Sequence, residues 1–242
     1  MIAYVAKDLA SGVCLTAHED VQMPAYSTIK VLLAAAFWRA VERGELSESQ
    51  PYAFQPWGSV GGSGVLRGFR HAAKLALADY AHLMLVVSDN DATNIVASMV
   101  GLDKIEQLGD ELGLKQTTMC RLMMDAKATS EGRENLTSAG DLAFLLEELA
   151  VGDKLGPAVS GPIWASLEKQ EHLDGIARYL PESATYAGKC GGDSPVGHHA
   201  HDCALVREGD RRVVLALMTD GAGGLETVSR TGAALYEALR EA

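Results

Sequence analysis

Met23-Pro24-Ala25-Tyr26-Ser27-Thr28-Ile29-Lys30-Val31-Leu32-Leu33-Ala34-Ala35-Ala36-Phe37-Trp38 is the stretch from which the fold of this chain can be worked out. Met23 to Tyr26 predicts a loop. From Thr28 to Arg43 the pattern predicts a strong helix: Leu32, Leu33, Ala36, Phe37 and Ala40 recur at helical spacing, and Gly44 ends the run. Ser27 stands at the helix start with Lys30 one turn on, so the two side chains share a face. The positive end of the helix dipole disfavours a charged ammonium there. A buried lysine at that place can be neutral and take the serine proton, leaving a nucleophile. The backbone N–H of Ser27 points the same way, as one half of an oxyanion hole. Taken alone, the pair is better read as a helix-capping serine followed by a solvated lysine.

Outward from this helix, the chain is β-rich at both ends and helical between. Residues 2–8 and 12–17 predict a hairpin around Leu9-Ala10-Ser11-Gly12. Residues 51–64 are rich in glycine and proline and predict a loop. Helices are expected over 76–87, 91–100 and 103–112, and over 139–150, where Ser138 and Asp141 make a capping-box-like start. Thr185 to Gly188, His201 to Arg207 and Arg211 to Thr219 predict strands, with Glu208-Gly209-Asp210 as a hairpin turn, and Thr227 to Arg240 predicts a closing amphipathic helix. The simplest closure joins the N-terminal hairpin and the C-terminal strands in one antiparallel sheet, with the helical middle as a separate lobe. The expected class is α+β. One catalytic domain over 1–242 is expected, with an α/β lobe from about 1–26 and 163–242 and a helical lobe from about 27–162.

Two further clusters carry chemistry. Ser88-Asp89-Asn90 follows the apolar run Leu83-Met84-Leu85-Val86-Val87 and falls between two helices. A serine hydroxyl there can relay a proton to a leaving group, and Asn90 can bind a substrate amide; taken alone, a plain inter-helix turn capped by Ser or Asp is the favoured reading. Lys189-Cys190-Gly191-Gly192 falls on a predicted strand. Its glycines let a substrate lie against the strand edge, and Lys189 offers charge to a carboxylate. A glycine bulge with an exposed lysine is the other reading. His198, His199, His201 and Asp202 are the one metal-like cluster, and a polar turn feeding the next strand explains them better, so no metal and no cofactor is expected.

In this order and spacing the three clusters resemble the S-x-x-K, S-D-N and K-T-G motifs of class A β-lactamases and penicillin-binding proteins. The likeness extends through Gly62-Ser63-Gly64-Val65-Leu66 and Ser88-Asp89-Asn90-Asp91-Ala92-Thr93-Asn94, includes His201-Asp202, and runs from about residue 2 to residue 238. It implies an antiparallel sheet flanked by helices, an all-α lobe and an active site in the cleft. It implies Ser27 as nucleophile, Lys30 as its base, and Ser88 with Lys189 as proton relay. Asn90, Cys190, Gly191 and Gly192 would bind substrate, with the N–H groups of Ser27 and Gly192 as the oxyanion hole. The chain departs from the family twice. Cys190 replaces the threonine of K-T-G, and a thiol is a weak donor. In the loop Arg121-Leu122-Met123-Met124-Asp125-Ala126, Met123 stands where the family carries the glutamate that activates the deacylating water. Asp125, Glu131 and Glu134 are nearby acids, none of them on the motif; Asn135-Leu136-Thr137 rejoins the pattern.

Three functions follow as expectations. The first is a serine hydrolase that forms a Ser27 acyl-enzyme on β-lactam or related amide or ester substrates, with weak or atypical deacylation. The second is an esterase, amidase or acyl transferase on a small non-lactam substrate. The third is a β-lactam-binding sensor without turnover. The net charge of −11 argues against nucleic acid and anionic membrane as partners, and no apolar run is long enough to span a bilayer. A small-molecule substrate and a monomer are expected. If Met1 is native, the absence of a signal-peptide pattern implies the cytoplasm; if a leader was removed, a secreted or periplasmic protein. The four cysteines read as free thiols.

Overall fold

The computed structural model describes residues 1–193, 198–221 and 223–241. In chain order its elements are β1 (Ile2–Asp8), β2 (Cys14–Ala17), β3 (Met23–Pro24), a 3₁₀ turn (Tyr26–Ile29), α1 (Lys30–Glu42), β4 (Pro51–Phe54), β5 (Ala73–Ala76), α2 (Leu77–Val86), α3 (Asn90–Val100), α4 (Leu102–Leu112), α5 (Ala126–Ser130), β6 (Leu136–Thr137), α6 (Ala139–Val151), α7 (Pro157–Leu167), β7 (Thr185–Gly192), β8 (Ala200–Glu208), β9 (Arg211–Thr219) and α8 (Gly224–Arg240). The class is α+β, as the pattern predicts.

The main sheet has five antiparallel strands in the order β2-β1-β9-β8-β7, so both chain ends meet at its centre. β9 is buried on both faces from Val213 to Thr219. Its alternation sorts the core: Val214, Ala216 and Met218 pack toward the helices, and Val213, Leu215 and Leu217 pack toward α8. Glu208 pairs Arg211, leaving Gly209-Asp210 as a two-residue turn with Gly209 at φ +59°. On the other side α1 is buried from Lys30 to Trp38, as expected of a helix that is apolar nearly all round. Ser138 accepts the Asp141 N–H at 3.1 Å and starts α6.

Two expectations are corrected, and one helix is added. Met23–Pro24 is a short strand, paired with Leu136–Thr137, and the Ala25 N–H donates to Asn135 at 2.8 Å. Met23 is buried, and its backbone needs partners. The expected loop of 51–64 begins with β4, paired to β5. His201 and Asp202 open the strand expected from His201 to Arg207, here β8, and both are fully buried in it. α7 has no counterpart in the sequence pattern, because Pro157, Gly161 and Pro162 mask it.

Candidate active site

Ser27 does not begin an α-helix; it lies in the 3₁₀ turn that leads into α1. In a 3₁₀ turn residues i and i+3 eclipse, which stacks Lys30 over Ser27. The turn is fixed from both sides. Thr28 donates its hydroxyl to the Ala25 carbonyl at 2.6 Å, and Tyr26, at φ +47°, lies 3.2 Å by its hydroxyl from His199 Nδ1. Across the cleft, Gly191 presses on the turn: a Cβ there would sit 2.7 Å from the Ser27 nitrogen and 3.0 Å from that of Thr28. Those are backbone atoms, which cannot swing aside. Gly191→Ala is therefore expected to displace Ser27 and slow its acylation by about 10²-fold, the scale of a 1 Å misplacement. Stopped-flow acylation beside a melting curve checks this; unchanged kinetics with an unchanged melting temperature would refute it.

Lys30 is fully buried and gathers the second cluster. Its Nζ donates to the Ser88 carbonyl at 2.9 Å, the Ser88 hydroxyl at 3.1 Å and Asn90 Oδ1 at 2.9 Å. Ser88 reaches with both oxygens because its backbone turns to φ +54°. Burial holds the Lys30 ammonium well below the usual lysine value; the charge of Lys189 adds to this and Asp89 opposes it. A neutral amine keeps two donors and gains a lone pair, so it can serve two of these acceptors and receive a proton. No hydrogen bond joins Lys30 to Ser27 among the described residues.

Asp89 is spent on architecture. Its carboxylate accepts the N–H groups of Val65, Leu66 and Ala92, capping α3 and pinning the preceding loop to it. Asn90 is held at both ends, by Lys30 and by donation to the Gly61 carbonyl at 3.1 Å, which leaves one N–H for a ligand. Gly62 makes room for it: at φ +73°, a Cβ would meet Asn90 Nδ2 at 2.4 Å. Lys189 is fully buried, and its Nζ donates to the Cys190 carbonyl at 2.8 Å rather than to Ser88, so the expected relay pair is not hydrogen-bonded. Burial pushes the Cys190 thiol up, and it stays protonated at neutral pH.

Two adjoining hollows meet at Ser27, sharing Gly62, Ser63, Gly192 and Asp193. One, of about 410 Å³, adds Ser88, Cys190, Gly191, His172, Asp174 and His199. The other, of about 630 Å³, adds Asn90, Arg121, Met123 and Asn135. The second contains the departure from the family pattern. Asn94 clamps the Met123 backbone, accepting its N–H at 2.7 Å and donating to its carbonyl at 3.0 Å. Asn135 clamps Arg121 in the same manner, at 3.1 and 3.0 Å. The neighbouring acids are engaged: Asp125 caps α5, Glu131 pairs with Arg133 and Glu134 with Arg121. Asn94, His172 and Asp174 were not singled out from sequence, since contacts between distant segments bring them here.

Beneath the first hollow, Asp202 accepts the Tyr186 hydroxyl at 2.7 Å and the Ile176 N–H at 2.8 Å. Burial pushes its carboxyl up to about 6. Its neighbour His201 lies 3.0 Å by Nε2 from the Pro24 carbonyl, and burial lowers it to about 4. The two act oppositely on stability. The folded chain binds the Asp202 proton more tightly than the unfolded chain, so this group costs stability as pH rises from about 4 to about 6. The folded chain binds the His201 proton less tightly, so this group adds stability as pH rises from about 4 to about 6.5. Their contributions offset in the wild type. Asp202→Asn is expected to unmask the histidine slope: its melting temperature, relative to wild type, rises between pH 4 and pH 7. The change is worth about 3 kcal/mol at most. A parallel pair of curves would exclude this assignment.

The profile described as the "Beta-lactamase enzyme family" matches residues 2–239. The chain belongs to that family. As a family member it is similar in structure to the β-lactamase of Sphaerobacter thermophilus, with a TM-score of 0.90 and 26% identity, covering 100% of this chain and 91% of that one. It is similar to PBP-A at a TM-score of 0.89 and 26% identity, with the same coverage. A mutant of PBP-A is known as an acyl-enzyme complex with penicillin G. Among curated proteins it is 28% identical over 134 residues to the "Beta-lactamase regulatory protein BlaB" of Streptomyces cacaoi; the match spans 54% of this chain and 42% of that protein.

Proposed function

We propose that this β-lactamase relative is a serine hydrolase that forms an acyl-enzyme at Ser27, on β-lactam or related amide and ester substrates, and releases the acyl group slowly. The observation that carries the reading is Lys30: a buried amine held below its usual pKa, three residues on from a serine that opens into two hollows. Lys30 takes the Ser27 proton as Oγ attacks the carbonyl carbon. The N–H groups of Ser27 and Gly192 stabilise the oxyanion. Ser88, hydrogen-bonded to Lys30, passes the proton to the departing nitrogen or oxygen. Asn90 holds the acyl amide, and Cys190, Gly191 and Gly192 line the hollow in which the rest of the substrate lies, with Lys189 buried behind them. Release is slow because Met123 offers no base and the acids around it are engaged. Intact mass after mixing with a penicillin tests this: wild type gains one covalent adduct and Ser27→Ala gains none. An equal adduct on Ser27→Ala would falsify it.

A second reading, a sensor that is acylated once and stays so, is favoured by the same loop and by the similarity to a regulatory protein. The time course separates the two. Steady consumption of substrate supports the hydrolase, and a one-to-one adduct that persists for hours supports the sensor.

A further inference from the structure

The stretch between Glu48 and Asp79 contains no acidic residue, in a chain of net charge −11. It leaves the body of the protein at β4 and returns at β5, with short turns at Pro56–Gly58 and Leu66–Gly68 that contact each other. Arg67, Arg70 and Lys74 are exposed on it and make no ion pair among the described residues. Interleaved with them are exposed apolar side chains: Val65, Phe69, Val60, and above all Trp57 at 79% exposure. Asp79 accepts the Ala76 N–H at the end of the segment, and two buried acids are spent on its middle. Asp89 accepts the N–H groups of Val65 and Leu66, and Asp91 accepts the Val60 N–H and the Ser59 hydroxyl. The outer face is thus cationic and aromatic while the rest of the molecule carries the negative charge.

We infer that the 51–76 excursion is a peripheral docking surface for an anionic lipid bilayer. Tryptophan settles at the headgroup level, where its apolar ring and its N–H are both accommodated, and phenylalanine buries its ring beside it. Basic side chains beside them are attracted to anionic headgroups, each raising binding by about five-fold. The acidic remainder of the protein is screened beyond a Debye length of about 8–10 Å. The net charge of the whole chain, which argues against such a partner, conceals this segregation. Among protein surfaces an acidic partner shares the charge; loop-borne rings set singly between cations favour a deformable headgroup layer. Docking this way places the Ser27 cleft beside the membrane, since Gly62 and Ser63 line both hollows.

The protein contains its own reporter, because Trp38 and Trp164 are only 9% exposed. The full chain is mixed at about 0.1 M salt with extruded vesicles of equal phosphatidylglycerol and phosphatidylcholine, and with vesicles of phosphatidylcholine alone. The expected result is a blue shift of tryptophan emission, reduced acrylamide quenching and co-sedimentation with the anionic vesicles only, all weakened by salt. Trp57→Ser removes the spectral change. Arg67→Gln, Arg70→Gln and Lys74→Gln together lower vesicle affinity by about 10²-fold, with melting temperatures of both variants near wild type. Three results overturn the inference: no co-sedimentation with anionic vesicles, equal affinity of the triple variant, or a response to soluble polyglutamate without one to vesicles.

Discussion

Lys30→Met slows acylation of Ser27 by about 10³-fold, within the range of a positioned general base. The loss is kinetic more than structural. Methionine fills most of the lysine volume, so the core of α1 stays packed, and removing a buried amine offsets part of the cost of stripping donors from the Ser88 carbonyl and Asn90. In the wild type, the acylation rate rises with pH as Lys30 loses its proton. Because burial and the charge of Lys189 lower that pKa, the rising limb lies below the usual lysine range. The limb disappears in Lys30→Met. Burst amplitudes across a pH series measure both effects; acylation by Lys30→Met at the wild-type rate would remove Lys30 from the chemistry and leave it a structural residue.

Met123→Glu shortens the lifetime of the acyl-enzyme by about 10²-fold, again the scale of general-base catalysis. The site is prepared for it. Asn94 fixes the Met123 backbone from both sides, and the side chain borders the same hollow as Ser27 and Asn135. A carboxylate there can order a water and take its proton. The measurement is the decay of the adduct mass after a penicillin pulse and removal of free drug. Met123→Gln, which has the same shape and no base, serves as control and keeps the wild-type lifetime. If glutamate and glutamine variants decay alike, slow release has a cause other than the missing base. Adding Asn94→Ala to Met123→Glu cancels most of the gain, since the clamp that aims the side chain is lost.

The fold was legible wherever periodicity survives over a long element. The sheet strands β1, β8 and β9 and the helices α1 to α4 and α6 announce themselves by alternation or by helical spacing, and Gly209 marks its turn. Pairings of two residues, such as Met23–Pro24 with Leu136–Thr137, leave no period to read. Glycine and proline hid α7 and β4. In the site, sequence order brings out the residues that assemble on Lys30, but not how its ammonium divides among Ser88 and Asn90. His201 and Asp202 fall on a predicted strand, but their types are usually exposed; only the packing of β8 between two layers buries them. The contact of Gly191 with the Ser27 backbone and the grip of Asn94 on Met123 join positions far apart in the chain, which local pattern does not encode.

The carboxylate of Asp89 has a consequence for the protein's dynamics. One side chain ties Val65 and Leu66, midway along the excursion, to Ala92 in the first turn of α3. Lys30 draws its partners from the residues on either side of Asp89, so lifting the excursion releases the cap and loosens the serine and asparagine that hold the amine. The surface loop and the reactive centre therefore open as one cooperative unit. Amide exchange at Val65, Leu66 and Ala92 should share one rate, and anything that steadies the loop should steady the nucleophile's base with it.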